Sequence, residues 1–257
     1  MARADGARDA GRCTRAADRR AKIGAVAMPA IQARLIVGGR KYFPDIGSEL
    51  IAGYTGGFSH IETFVPAGLG WAPEGWLYSA RSDTVSAAKC KDIALPLPST
   101  DPAPEAMLAV MRATRIGIPR GVQFRPPGYC SWRRCVVLTV PVTARQSADF
   151  WAAQHDKLGR PYDWRSIIAF AAPFGLTRDW HEIDSWMCSE EFEDSMEAAK
   201  ILSAFWLAPY KISPGLAAAR TEVLPGVWST EIKPGTDPRA EAGIAMADWR
   251  KNRGAAA

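Results

Sequence analysis

Cys188 sits in the stretch Asp184-Ser185-Trp186-Met187-Cys188-Ser189-Glu190-Glu191-Phe192, where a loop reads as turning into a helix. Asp184 and Ser185 are residue types that cap helix N-termini, and Glu190 and Glu191 suit a first turn. Phe192, Met196 and Ala199 are spaced to share one buried face. Unpaired N–H groups and the positive end of the helix dipole favour a thiolate there, and the thiolate is the form that attacks carbonyl carbon. A cysteine so placed serves equally well as a small buried residue closing a helix. The presence of a base decides between the two readings.

The chain has three histidines. His155 falls on an amphipathic stretch and reads as a flanking surface residue. His181 lies in a loop seven residues before Cys188 and is a rival base. His60 belongs to Phe58-Ser59-His60-Ile61-Glu62-Thr63-Phe64-Val65, whose alternation puts Phe58, His60, Glu62 and Phe64 on one face. A histidine on a strand facing a cysteine on a helix is a rigid pair, as a preorganised thiolate–imidazolium pair requires. Such a pair predicts a thiol pKa well below that of free cysteine. No His/Glu pairing has zinc spacing, and Gly38-Gly39 and Gly56-Gly57 read as turns rather than phosphate loops, so no cofactor is expected.

Elements that would position these residues follow from the hydropathy pattern. Residues 33–38 and 136–140 read as strands, and 76–80 as the hairpin partner of the His60 strand. Residues 90–95 read as a further strand, with short strand-like pieces near 207–212 and 222–229. Helices are predicted at 45–52, 103–115, 146–158 and 165–172, besides the Cys188 helix. The result is one α+β domain over 28–233 with no internal repeat. Residues 1–27 lack large apolar side chains and read as a disordered basic tail or an over-extended start before Met28. Residues 234–257 read as a polar C-terminal tail with room for a short helix.

Four segments, in order, carry a family resemblance. Gly57-Phe58-Ser59-His60-Ile61-Glu62 resembles the Ser-His strand of the circularly permuted NlpC/P60 group of papain-like proteins, the YiiX- and LRAT-type members, in which histidine precedes cysteine. Leu158-Gly159-Arg160-Pro161-Tyr162-Asp163-Trp164 is similar to their G-x-P-Y-x-W element. Trp186-Met187-Cys188-Ser189-Glu190 resembles their W-x-C-S-E cysteine, and Ile212-Ser213-Pro214-Gly215 a short segment that follows it. The resemblance covers roughly residues 40–80 and 120–215. It implies a papain-like fold with an antiparallel sheet packed against the cysteine helix, Cys188 as nucleophile and His60 as base. It also implies that the Tyr162 hydroxyl lies beside the thiol and helps hold an oxyanion. The residue orienting His60 is Glu62, on the histidine strand, or Ser79, on the next one, where the family commonly carries it. The chain departs from the pattern by an insertion at about 84–120, rich in proline and placed to cap a groove.

Composition narrows the partners. The net charge of +5 resides almost wholly in the first 27 residues, which carry +4, so the body has no electrostatic footprint for nucleic acid. Ten tryptophans suggest either a carbohydrate or lipid surface or, more simply, core and groove wall. Five cysteines without metal-like spacing suggest a reducing, cytoplasmic compartment. No apolar run has the length of a membrane span, and no signal peptide is read. Two function classes remain. One is a thiol-dependent hydrolase or acyltransferase acting on an amide or ester, of peptidoglycan or of a lipid or acyl substrate. The other is a non-catalytic binding or accessory module of phage or prophage type that kept the fold.

Overall fold

A computed structural model of the chain describes residues 30–40, 43–44, 49, 51–53, 57–84, 118, 120–163, 165, 184–204 and 212–253. The strands are β1 (Ala30–Arg40), β2 (Phe43–Pro44), β3 (His60–Phe64), β4 (Leu77–Arg81), β5 (Gly121–Arg125), β6 (Trp132–Pro141) and β7 (Trp228–Ile232). The helices are α1 (Ala144–Lys157), α2 (Cys188–Ala198), α3 (Pro214–Glu222) and α4 (Glu241–Arg253). Among the described residues every strand pairing is antiparallel, in the order β5-β4-β3-β1-β6-β7, with the short β2 paired to the end of β1. The fold is therefore α+β around an antiparallel sheet.

β1 is the spine of that sheet. Its residues Ala30 to Val37 are all buried, polar Gln32 and Arg34 included, so both of its faces are covered. α2 packs against β3 and β4 and against α1, while α4 packs against β6 and β7. On the α1/α2 side the core is aromatic. Tyr78 meets Phe124 at 5.1 Å and Trp151 at 6.3 Å, and Phe150 meets Phe192 at 6.1 Å, in tilted to edge-on geometries. Trp76, Trp151 and Trp249 are buried and Trp71, Trp132 and Trp186 half-buried, so the described tryptophans mostly fill core and walls. Trp228 is the exception, 38% exposed.

Local chemistry sets the boundaries. Thr143 and Gln146 form a reciprocal capping box on α1: Gln146 N–H donates to Thr143 Oγ1 at 3.2 Å, and Thr143 N–H to Gln146 Oε1 at 3.0 Å. Gly159, just beyond that helix, has φ +82°, the left-handed conformation that stops it.

Three expectations are corrected. Asp184 and Ser185 do not cap the cysteine helix: Met187 is its N-cap, and Asp184 adopts φ 68° in the turn before it. Residues 214–222 form a helix, with Ser213 accepting from Leu216 N–H at 3.2 Å and Pro214 in the first turn; the strand expected near 222–229 begins only at Trp228. The C-terminal stretch, read as a polar tail with room for a short helix, does hold a helix, α4, but its Glu241, Ala245 and Trp249 are buried, so it is part of the fold rather than a tail. The predicted strand at 90–95, the helices at 103–115 and 165–172, and the piece at 207–211 lie outside the described residues, apart from single residues. So do most of 45–52, the 1–27 tail, and nearly all of the 84–120 insertion.

Candidate active site

Cys188 is the first residue of α2, and its neighbours explain its position. Glu190 reaches back to accept the Met187 N–H at 3.2 Å, closing the helix start from the side-chain end. Phe192 and Met196, one and two turns on, are buried against the sheet. The β3–β4 pairing runs only through Thr63–Tyr78 and Phe64–Leu77, and then the two strands part. In the gap, Ser79 Oγ donates to the Ile61 carbonyl at 2.8 Å, and the Ile61 backbone N–H reaches the Cys188 sulfur. The thiol thus replaces a strand partner for the residue next to His60. It is 2% exposed.

Burial is the dominant force on that thiol and pushes it up to about 12, against the backbone N–H groups of Ile61 and Ser189 and the charge of Arg81. That direction opposes the expected low-pKa thiolate. Burial, then the Arg81 charge, bring His60 down to about 4, with Glu62 opposing. Both shifts run against the charged forms of the expected thiolate–imidazolium pair. Desolvation of two small groups outweighs what a helix terminus supplies.

His60 is held from behind. Its Nε2 lies 3.0 Å from Glu62 Oε1 and 3.3 Å from Ser79 Oγ. The Ser79 hydroxyl proton is already directed at Ile61, so toward the ring Ser79 acts as an acceptor. Burial alone would raise Glu62, but Arg34, His60 and Arg81 outweigh it and hold the carboxyl well below its usual range. An ionised Glu62 can only accept, which assigns the ring proton to Nε2 and leaves the Nδ1 lone pair as the base. Ser59, just before β3, fixes where this strand starts: its N–H and its hydroxyl both donate to the Ile36 carbonyl, at 3.0 and 3.1 Å.

Around Glu62 lies a buried charge cluster that the sequence reading missed. Arg34, its cross-strand neighbour on β1, donates Nε at 2.8 Å and Nη2 at 2.5 Å to Glu62 Oε2. The same guanidinium donates Nη1 at 2.9 Å to Glu241 Oε2 of α4, and Trp132 donates to the other Glu241 oxygen at 3.1 Å. The Tyr129 hydroxyl bonds Glu62 Oε1 and accepts from Arg81 Nη1 at 2.7 Å. Arg81 also pairs with Asp83 at 2.7 Å. An arginine in an apolar β-strand run, as in Ala33-Arg34-Leu35-Ile36, was the available signal, because a strand buried on both faces tolerates a charge only when it is paired.

Tyr162 joins from the loop before the cysteine helix. Its residue bridges Trp186 in parallel, with Asp163 N–H donating to Trp186 O at 3.0 Å and Trp186 N–H to Pro161 O at 2.9 Å. Burial, followed by the nearby Cys188, raises its hydroxyl well above the usual range, so it stays a proton donor. β5 anchors this loop, with Val122 N–H donating to Arg160 O and Gly159 N–H to Val122 O, both at 2.9 Å. Gly121 makes the approach possible: a Cβ there would stand 2.2 Å from Arg160 O, and its φ is +100°.

The structure thus joins His60, Glu62 and Ser79 by direct contact, sets Cys188 against the Ile61 backbone of the same strand, and brings the Tyr162 hydroxyl near Cys188. His155 lies elsewhere, on α1 with its ring edge-on to Trp71 at 4.7 Å. His181 lies outside the described residues. Among the described residues no helix is long and apolar enough to cross a membrane. No protein-family model matches the chain, and no curated protein matches its sequence.

Proposed function

We propose that the chain is a thiol-dependent hydrolase of the permuted NlpC/P60, papain-like type, cleaving an amide or ester through an acyl-enzyme on Cys188. The observation that carries this reading is the sulfur bound at the Ile61 backbone, one residue from a histidine whose far nitrogen is held by an ionised glutamate. His60 Nδ1 takes the Cys188 proton as sulfur attacks the carbonyl carbon. The Tyr162 hydroxyl donates to the oxyanion, and the imidazolium returns its proton to the departing amine or alkoxide. Water, deprotonated by His60, then attacks the thioester, releasing the acid and restoring the thiol. Where a second hydroxyl or amine takes the place of water, the same steps give acyl transfer. A neutral resting pair suits this concerted path, because charge appears only as the bond forms.

One observation favours the rival reading, a non-catalytic binding module: a thiol pushed up to about 12 by burial is that of an inert structural cysteine. An activated aryl ester separates the two. Intact-mass and peptide mapping should place one acyl group on Cys188, well ahead of Cys130 and Cys135, and His60→Ala should abolish it. Labelling of Cys188 no faster than Cys130 would establish the binding module instead.

A further inference from the structure

Behind Glu62 lies a residue that touches neither thiol nor imidazole yet governs which nitrogen of His60 carries the proton. Arg34 is fully buried on the central strand, and its guanidinium is divided between two carboxylates on opposite sides: Glu62 of β3 at 2.8 and 2.5 Å, and Glu241 of α4 at 2.9 Å. Both acids are themselves buried. A carboxyl in such a place keeps its negative charge only while a cation faces it, and a protonated carboxyl becomes a donor. Glu62 has two oxygens with separate duties. Oε2 takes the Arg34 fork, and Oε1 meets the His60 ring at 3.0 Å and the Tyr129 hydroxyl. Of the other charges, Arg81 approaches Oε1 only at 3.6 Å and is itself paired with Asp83. It therefore does not replace the two-toothed contact of Arg34.

We propose that Arg34, anchored from the far side by Glu241 of the C-terminal helix, is the positioning residue that fixes His60 as the Nε2–H tautomer by keeping Glu62 a pure acceptor. The proposal rests on the reading of His60 as the base and adds a switch to it. Without the Arg34 charge, Glu62 takes up a proton and donates it toward Nε2. The ring proton then moves to Nδ1, the nitrogen needed as a base. The groups facing this cluster are His60, Arg81, Asp83, Tyr129, Cys135, Cys130, which accepts from Arg34 Nη2 at 3.6 Å, and the buried Arg125, whose guanidinium lies over the Tyr129 ring at 5.6 Å. None of them offers Glu62 a second fork.

The test reads the tautomer directly, apart from activity. In protein labelled with 15N-histidine, the His60 ring nitrogens should report Nε2–H at pH 7. Arg34→Gln should transfer the proton to Nδ1, and its Cys188 acylation should drop by about 10²-fold, the lower end of what a positioned base supplies. Arg34→Lys, which restores the charge, should return the Nε2–H signal. If Arg34→Gln does not fold because Glu241 is left buried and unpaired, the double variant Arg34→Gln/Glu241→Gln removes both charges and carries the same expectation. A folded variant lacking Arg34 that still shows Nε2–H, or a native protein showing Nδ1–H, overturns the proposal. If instead the tautomer shifts as expected but acylation of Cys188 does not depend on His60, the positioning role stands and the hydrolase reading falls.

Discussion

Glu62 Oε1 stands 3.0 Å from His60 Nε2, two residues along the same strand. Ser79 approaches the same nitrogen from the neighbouring strand at 3.3 Å. Strand alternation makes the first contact nearly obligatory, since residues i and i+2 share a face, and the ionisation of Glu62 gives it the stronger hold.

Glu62→Gln should therefore lower the rate of acyl-enzyme formation by about 10²–10⁴-fold, the scale seen when a histidine loses the carboxylate that sets its tautomer. Ser79→Ala should cost no more than about tenfold, because its hydroxyl proton is committed to Ile61 and its contact with the ring is longer. Burst kinetics with an ester substrate measure both. Equal losses in the two variants would make Ser79 a full partner of His60.

The acid limb of kcat/KM should lie near pH 4 rather than between 6 and 7. Burial and Arg81 hold His60 neutral down to about 4, so the base remains available in mildly acidic solution. Linkage adds a stability effect of known sign. The unfolded chain's histidine takes its proton near the ordinary value of about 6.5, so the fold loses stability as pH falls from there to about 4. A pH–rate profile and thermal melts over that window check both. An acid limb at 6–7 would show that the ring is not held neutral.

Glu191→Gln should stabilise the protein in alkaline solution. Burial raises this carboxyl to about 8, with Lys157 only partly opposing it. Its folded pKa exceeds the unfolded one, so native stability falls as pH rises from about 4.5 to about 8. At pH 9 the glutamine should gain about 1–3 kcal/mol, and at pH 4 almost nothing. Denaturant titrations at the two pH values measure the difference, and an equal effect at both would assign it to packing instead.

Gly121→Ala should destabilise the fold by about 2–4 kcal/mol, since it combines left-handed strain with a backbone clash. The added methyl would meet Arg160 O at 2.2 Å, on the segment leading to Tyr162. Ester turnover should therefore fall further than stability alone explains. A melting temperature within a degree of the native one would mean that β5 and the loop already stand further apart.

The His60 strand, its hairpin partner, the β6 run and the helix read at 146–158 and found at 144–157 were legible because local forces dictate them, as in the stop at Gly159 and the alternation of 58–65. The pairing of Glu62 with His60 was legible for the same reason. Arg34, Tyr129 and Glu241 were not. Their meeting depends on which strands become neighbours, and Arg34 is 207 residues from Glu241. Helix α4 was read only as room for a short helix in a polar tail, because its apolar residues do not gather on one face: Ala245 and Trp249 are buried while Ile244 is exposed. The raised thiol was hidden too: a sequence displays the helix terminus that favours a thiolate, but not the burial that opposes it.

The contact between Arg34 and Glu241 also orders events in time. During synthesis the ribosome delivers Arg34, His60 and Glu62 first, Cys188 later, and Glu241 after Cys188. Until then Arg34 has one of its two carboxylates, and β6 and β7 lack the helix that packs on them. A nascent chain therefore carries Cys188 before the charge cluster around Glu62 is complete. The final electrostatic surroundings of the His60 strand thus wait on a contact that is long-range in sequence and forms only when α4 docks.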